Sequence, residues 1–322
     1  MTDARPPANP FHRALYLTGP TASGKTAVGV ALAHALGAEI IALDSMTLYR
    51  GMDIATAKPT LDERAGIPHH LIDMLDPWQP ASVATYRDWA VQAVHEIEAR
   101  GRRVLFVGGT PLYLKALLRG LFEGPAADPE LRARLEKEAD QNGDQTLHAR
   151  LAIVDPPTAA RLHPQDRRRV IRALEVHELT GQPLSDHQQQ HDRPAPPSVP
   201  VLALDPPRPA LHARINRRVL QFFETGLIDE VRNLQADPRA IGSIAVQGIG
   251  YAETIEMLAG RADLPKTIDL IQARTRQFAK RQWTWFRNLK EVKPFPIDPS
   301  ESPQAIAERL LPALLALCSR GL

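Results

Sequence analysis

Gly19, Pro20, Thr21, Ala22, Ser23, Gly24, Lys25 and Thr26 follow the pattern G-x-x-x-x-G-K-T. Such a loop wraps an anion. Its glycines let the backbone turn so that successive N–H groups face inward, the lysine reaches the terminal phosphate, and the threonine hydroxyl can ligate Mg2+. The apolar runs at 14–18 and 25–36 supply the flanking strand and helix that the motif requires, and the helix N-terminus adds partial positive charge. The loop specifies a di- or triphosphate, nucleotides such as ATP included, without choosing among them. Asp44 closes the next strand-like run, 39–43. It can hold magnesium through water, act as general base toward an acceptor, or cap a turn. After a third strand-like run, 103–107, Gly108 and Gly109 permit a close backbone approach and Thr110 adds a hydroxyl. Arg214 and Arg218, four positions apart, share one helix face. There they either clamp a diphosphate by bidentate bonds or lie solvated.

The elements that must hold these groups follow from periodicity. Strand-like and helix-like runs alternate through the first 125 residues, which predicts an α/β fold: a P-loop-type parallel sheet flanked by helices. In such sheets ligands lie at the carboxyl ends of the strands, so the loops after all three strands share one crevice. Ser82 is the expected N-cap of a helix reaching residue 100, with Val83, Tyr86, Ala90, Ala93, Val94 and Ile97 on its buried face. From 126 to 200 no strand-like run occurs, and this stretch is expected to be an all-helical insertion domain closed by a proline-rich linker at 193–200. Residues 201–322 return to the core with a strand at 201–204 and helices near 211–224, 226–235, 250–259, 267–289 and 302–319. In the helix at 267–289, Ile268, Ile271, Phe278, Gln282 and Trp285 form the expected buried stripe. Arg274 and Arg281 stand at its edge, as candidates for a site, and Arg276, Lys280 and Arg287 stand on the far side.

Composition narrows the class. With 43% hydrophobic and 24% charged residues in 322, the chain is globular, and its 29 prolines gather in short clusters rather than spreading as low complexity. One cysteine, Cys318, excludes an intrachain disulfide and a cysteine-built zinc site, which fits a reducing compartment. The adjacent His69 and His70 have poor spacing for a shared metal. The longest apolar run, 310–318, is far short of the about twenty residues of a membrane span. A cytoplasmic, membrane-free protein is expected. The net charge of +2 announces no polyanionic partner, yet residues 271–290 carry six basic and no acidic side chains, and Arg167, Arg168, Arg169 and Arg172 form a second cluster. Local patches of this kind bind phosphate backbones, or are simply solvated faces.

Three blocks, 19–26, 44–59 and 68–73, occur with Val107-Gly108-Gly109-Thr110, Leu112-Tyr113, His163-Pro164-Gln165-Asp166, Gly250-Tyr251 and 275–282. In order and content they resemble the tRNA dimethylallyltransferase (tRNA isopentenyltransferase) family over nearly the whole chain. The resemblance implies transfer of a dimethylallyl group from dimethylallyl diphosphate to N6 of the adenosine directly 3′ of the anticodon, in tRNAs reading codons that begin with U. It further implies that the phosphate loop and Arg218 hold the diphosphate, that Thr26 assists with Mg2+, and that Asp44 accepts the amine proton while Thr110 positions the acceptor. Asp44, Ser45, Met46, Thr47, Thr110, Arg132, Gln165, Asp166, Arg167, Arg168, Arg169, Gln247, Gly248, Ile249, Gly250, Tyr251 and Ala252 fall where the family touches tRNA. The helical insertion would grip the anticodon stem-loop, and a monomer is expected. Thr47 and Ala55 depart from the family, which often has glutamine and glycine there. Two other classes compete: a P-loop ATP-dependent small-molecule kinase, and a non-catalytic tRNA-binding protein using the loop as an anion site.

Overall fold

The computed structural model describes residues 9–121, 124–187, 194–196, 199 and 201–318. Residues 1–8 of the amino-terminal stretch, half of the linker expected at 193–200, and residue 319 of the last expected helix lie outside them. The elements run β1 (Leu15–Thr18), α1 (Lys25–Leu36), β2 (Ala38–Ala42), α2 (Leu61–Arg64), β3 (His69–His70), α3 (Val83–Ala99), β4 (Arg103–Val107) and α4 (Pro111–Arg119). Then come α5 (Pro129–Asn142), α6 (Asp144–Val154), α7 (Pro156–Ala159), α8 (Arg167–Thr180) and α9 (Leu184–His187). The chain continues with β5 (Val201–Asp205), α10 (Arg208–Glu224), α11 (Leu227–Ala236), α12 (Tyr251–Leu258), α13 (Leu264–Asn288), β6 (Val292–Pro296) and α14 (Pro303–Cys318). Two compact units result: one runs through Leu118 and resumes at Ala195, and the other is Arg119–Pro194.

The first unit is built on a six-stranded sheet in the order β3-β2-β4-β1-β5-β6, with every pairing parallel. Helices cover both faces, so the inner strands are apolar throughout; β1, Leu-Tyr-Leu-Thr, is buried at every position. Alternation sorts the side chains. Leu15 and Leu17 join the core under α1 and α14, and Tyr16 joins the opposite core, stacked on Phe106 with ring centroids 5.0 Å apart. Each large side chain so buried contributes about 1.5–3 kcal/mol. Ser82 caps α3 by accepting from the Thr85 N–H, and Tyr86, Ala90, Ala93, Val94 and Ile97 are buried, whereas Val83 is half-buried.

Two strands escape the periodicity reading. The two-residue β3 puts His69 and His70 on the sheet edge, where the His70 Nε2 meets the Glu39 carboxylate at 2.7 Å and the His69 Nδ1 meets the Ile67 carbonyl. The strand β6, Val-Lys-Pro-Phe-Pro, carries two prolines, which cost it little because it lies on the other edge. The stripe of α13 is also rotated from the expected one. Thr267, Ile271, Ala279, Gln282 and Phe286 are buried, Phe278 is half-buried, and Trp285 is 38% exposed. A helical wheel gives the right period and the wrong phase where two aromatics compete for one face.

The second unit is built of helices joined by turns, with no strand among its described residues. Leu131, Leu135, Ala139, Leu147, Leu151, Val170, Ile171 and Leu174 form its core. Asp128 caps α5 ahead of Pro129, and the buried Asp155 caps α7 while accepting from the Ser185 N–H at 3.0 Å.

Candidate active site

The strands β2, β4 and β1 are neighbours, so their carboxyl ends bring Asp44, the 108–110 loop and the phosphate loop together along one edge. At the phosphate loop, Gly24 sits at φ +90 and immediately precedes α1, whose first turn has no side-chain cap. The first-turn amides are therefore open to an anion. Ser23 is buried with its hydroxyl unpartnered, and the half-buried Thr26 hydroxyl makes no hydrogen bond among the described residues. Lys25 donates to the Pro20 carbonyl at 3.2 Å. Burial pushes its ammonium down to about 8; the Asp44 carboxylate opposes this and the Arg218 guanidinium adds to it. A desolvated cation at a phosphate loop is a site prepared for a multivalent anion.

Asp44 and Thr110 meet because the backbone after β4 crosses that after β2 with no room to spare. A Cβ at Gly108 would stand 2.1 Å from the Leu43 carbonyl oxygen, so only glycine allows this crossing. Past it, the Thr110 N–H donates to that same carbonyl at 3.2 Å, and the Thr110 hydroxyl accepts from the Ser45 N–H at 3.2 Å. One Asp44 oxygen accepts from the Met46 N–H at 2.8 Å. The turn-capping role is thus real, and it occupies one oxygen, leaving the other for chemistry.

The arginines divide. Arg218 on α10 is half-buried over the Phe222 ring at 5.7 Å and makes no hydrogen bond or ion pair among the described residues. Burial lowers its pKa, opposed by Asp44 and Glu63. Arg214 instead braces the structure, donating to the Pro299 carbonyl at 3.2 Å and reaching the Ser23 carbonyl at 3.5 Å. Arg274 is held by the buried Glu253 at 2.7 Å, and that carboxylate also accepts from the Gly250 N–H. Arg276 is half-buried and donates to the Asn216 side chain, so it does not lie on a solvated far side. Lys280 and Arg281 are exposed, and with Gln277, Thr284 and Trp285 they line a shallow pocket of about 420 Å³.

The 247–252 segment is tied to the block after Asp44. Tyr251 is fully buried and donates its hydroxyl to Glu230 at 2.7 Å, and Glu230 also accepts from the Asp53 and Ile54 N–H groups. The Tyr251 ring therefore supports this segment from inside and is not available to stack on a base. Gln247 is exposed, Ile249 and Ala252 are half-buried, and Gly248 and Gly250 are buried. In the block itself, the buried Lys58 ammonium joins Asp53, Asp73 at 2.6 Å and the Tyr49 carbonyl at 2.7 Å. Ser45 and Met46 are half-buried. Thr47 is buried with an unpartnered hydroxyl, and Ala55 does not have a positive φ, so alanine there is unstrained. Periodicity and motif reading missed Glu230 and Gln282 as organisers of this edge. The one available signal was a glutamine inside an apolar stripe.

The remaining expected RNA contacts lie on the helical unit. Arg132 forms a bidentate pair with the fully buried Glu175, which Arg172 also contacts. Arg167 bridges Asp140 and Asp144, and Arg169 pairs with Asp166 at 3.0 Å. Arg168 and Gln165 are exposed, and Arg168 has no hydrogen-bond or ion-pair partner among the described residues.

Comparison with known proteins decides what this edge belongs to. A family model described as IPP transferase matches residues 47–289. The chain belongs to the IPP transferase family. A tRNA dimethylallyltransferase of Pelotomaculum thermopropionicum is 45% identical over 95% of this chain and 96% of its own length. The crystal structure of the tRNA isopentenylpyrophosphate transferase of Bacillus halodurans is 39% identical, covering 96% of this chain and 99% of that one, with a TM-score of 0.70. A eukaryotic dimethylallyltransferase acting on tRNA superposes with a TM-score of 0.76 at 26% identity, over 92% of this chain and 77% of that one. The IPP transferase match begins at Thr47 and spans Thr110, Arg214 and Arg218 of α10, and the whole of α13. Among the described residues no helix is long and apolar enough to cross a membrane, and no cluster of three His, Cys, Asp or Glu could hold a metal by itself.

Proposed function

We propose that this chain is a tRNA dimethylallyltransferase, moving the dimethylallyl group of dimethylallyl diphosphate to N6 of the adenosine directly 3′ of the anticodon in tRNAs reading codons that begin with U. The observation that carries the reading is the edge formed by β2, β4 and β1: an open phosphate loop with two desolvated cations, Lys25 and Arg218, beside a carboxylate with one free oxygen. A kinase would use the same loop. Membership of the IPP transferase family, and relatives named for prenyl transfer to tRNA, favour the prenyl donor over ATP.

In this mechanism the loop amides, Lys25 and Arg218 bind the diphosphate and neutralise the charge that grows on it as the allylic C–O bond breaks. The N6 lone pair forms the new bond to that carbon, diphosphate leaves, and the N6 proton passes to the free oxygen of Asp44. Thr110 fixes the backbone beside Asp44 and offers its hydroxyl to the acceptor. The Thr26 hydroxyl is a hard oxygen donor of the kind that suits Mg2+, and it has no competing partner among the described residues. When bound, the ion would add positive charge against the leaving diphosphate. The adenine must turn out of the anticodon loop to reach this edge, which costs less for a loop base than for a paired one. Of the expected RNA contacts, 44–47, Thr110 and the exposed Gln247 would serve the acceptor side, and Gln165 and Arg168 of the helical unit would reach the stem-loop. We infer further that the enzyme works as a cytoplasmic monomer.

The test is mass spectrometry of an anticodon stem-loop RNA incubated with the protein and magnesium, with dimethylallyl diphosphate in one sample and ATP in another. One dimethylallyl group on the adenosine 3′ of the anticodon, with the prenyl donor alone, is the expected result. Tight RNA binding with no adduct from either donor would favour a binding protein.

A further inference from the structure

Gln282 stands in α13 among Ile271, Ala279 and Phe286, only 3% exposed, yet both ends of its amide are used. Its Oε1 accepts from the Thr21 N–H at 2.8 Å, and its Nε2 donates to the Gly109 carbonyl at 2.6 Å. Thr21 belongs to the phosphate loop, on the donor side. Gly109 precedes Thr110, whose hydroxyl holds the Ser45 backbone next to Asp44, on the acceptor side. At the base of the two loops, the Thr18 hydroxyl already donates to the Gly108 carbonyl at 2.8 Å. Gln282 joins them a second time, farther out. A Cβ at Gly109 would stand 2.6 Å from the Gln282 Nε2 and 3.3 Å from the Lys25 Nζ, so the amide, the glycine and the ammonium share one contact.

We propose that Gln282 is a positioning residue for prenyl transfer, its side-chain amide fixing the separation between the phosphate loop and the Gly108–Thr110 loop, and so between leaving group and base. The inference rests on the prenyl-transfer reading. The chemistry at the position selects glutamine. One partner is an N–H and the other a carbonyl, so the bridge needs an acceptor and a donor at the same distance from the helix. An ionised glutamate keeps the acceptor and loses the donor, turning an oxygen toward the Gly109 oxygen. Asparagine is one methylene short, and methionine fills the volume with neither bond. A buried amide with both partners supplied is stable and rigid, whereas each half-made bridge leaves an orphan group.

A residue that sets the distance between two reacting parties acts on the rate of the bound complex rather than on the binding of either party. The experiment is single-turnover prenyl transfer to an anticodon stem-loop RNA, with both substrates saturating, for wild type, Gln282→Met and Gln282→Glu. Dissociation constants for dimethylallyl diphosphate and the RNA, and thermal melting, are measured in parallel. The expected result is a fall in the saturated rate of about 10²-fold in both variants, the scale of a misplacement near one ångström, with both dissociation constants retained. A wild-type rate in either folded variant would overturn the proposal, as would a loss carried wholly by donor affinity. If Gln282→Met fails to fold, Gln282→Glu decides alone. Absence of transfer by the wild-type protein would overturn the prenyl-transfer reading, which separates the two failures.

Discussion

The sheet unit and the helical unit both carry arginines where an anionic substrate is expected, and they treat them in opposite ways. In the sheet unit Arg218 is desolvated, lies against an aromatic ring and has no hydrogen-bonded carboxylate partner among the described residues, and the Asp44 carboxylate is close enough to favour the charge of both Arg218 and Lys25. In the helical unit Arg132, Arg167, Arg169 and Arg172 all hold carboxylates, one of them fully buried. A cation kept partly out of water with no partner is a cost that a ligand's charge removes. A cation already paired satisfies the fold and has little left to offer. Basic clusters that look alike in sequence therefore divide into groups waiting for a ligand and groups holding helices together.

The contrast can be broken most severely at Asp44. Asn retains the oxygen that accepts from the Met46 N–H and loses the basic one, so Asp44→Asn keeps the turn. Turnover should fall by about 10²–10⁴-fold with RNA affinity intact, as measured by prenyl transfer and by stem-loop titration. Retained turnover would move the base elsewhere and dissolve the chemical half of the comparison.

The next test opposes one arginine from each unit. Arg218→Ala should raise the KM for dimethylallyl diphosphate by about 10–100-fold, the worth of charge-assisted bonds, and leave melting unchanged. Arg132→Ala should act in reverse. It strips the bidentate partner from Glu175, leaving Arg172 and the Asp128 N–H to hold a buried carboxylate, and should lower stability by about 2 kcal/mol in urea unfolding. Equal effects of the two substitutions on donor KM would mean that pairing does not separate the groups.

Lys25 gives a third test through pH. Its folded pKa, about 8, lies below the ordinary 10.5, so between these values the unfolded chain binds more protons, and the ligand-free protein gains stability as pH rises. Donor binding carries the opposite sign. The diphosphate favours the ammonium, which is already present below about 8, so affinity should weaken above that pH, approaching tenfold per unit. With Lys25→Arg the alkaline weakening should disappear, because a guanidinium stays charged. Isothermal titration across the pH range checks both, and a flat wild-type profile would mean that Lys25 is not desolvated.

Motif and periodicity bring Asp44, the Gly108–Thr110 loop and the phosphate loop to one sheet edge because the requirements are local. The phosphate loop needs a strand before it and a helix after it, and Asp44 and Gly108 each end an apolar run. What they miss is set by contacts between distant segments. The strand β3 is two histidines whose conformation comes from pairing with β2, and β6 carries prolines that only an edge tolerates. Gln282 reads as core from its spacing, and its bonds lie with residues 261 and 173 positions away. The partners of Arg132 and Arg274, Glu175 and Glu253, are likewise invisible to any window of sequence. Charge patterning finds the clusters, and only the fold says which members are already taken.

Arg168 gives the smallest expected effect and the finest division, because it lies inside the cluster that the comparison assigns to structure. Its neighbours Arg167 and Arg169 face carboxylates, whereas Arg168 is exposed and unpaired among the described residues. An exposed arginine that contacts a phosphate contributes by releasing counterions, so its removal weakens RNA binding in proportion to how dilute the salt is. For Arg168→Ala the slope of log affinity for the stem-loop against log salt should shrink by about one unit, with stability unchanged. Arg167→Ala should leave that slope intact and loosen the contacts of α8 with Asp140 and Asp144. The reverse pattern, with the paired arginine carrying the salt dependence, would show that ion pairs in this unit open to admit RNA. Pairing in the free protein would then be a poor guide to what a cation does once the substrate arrives.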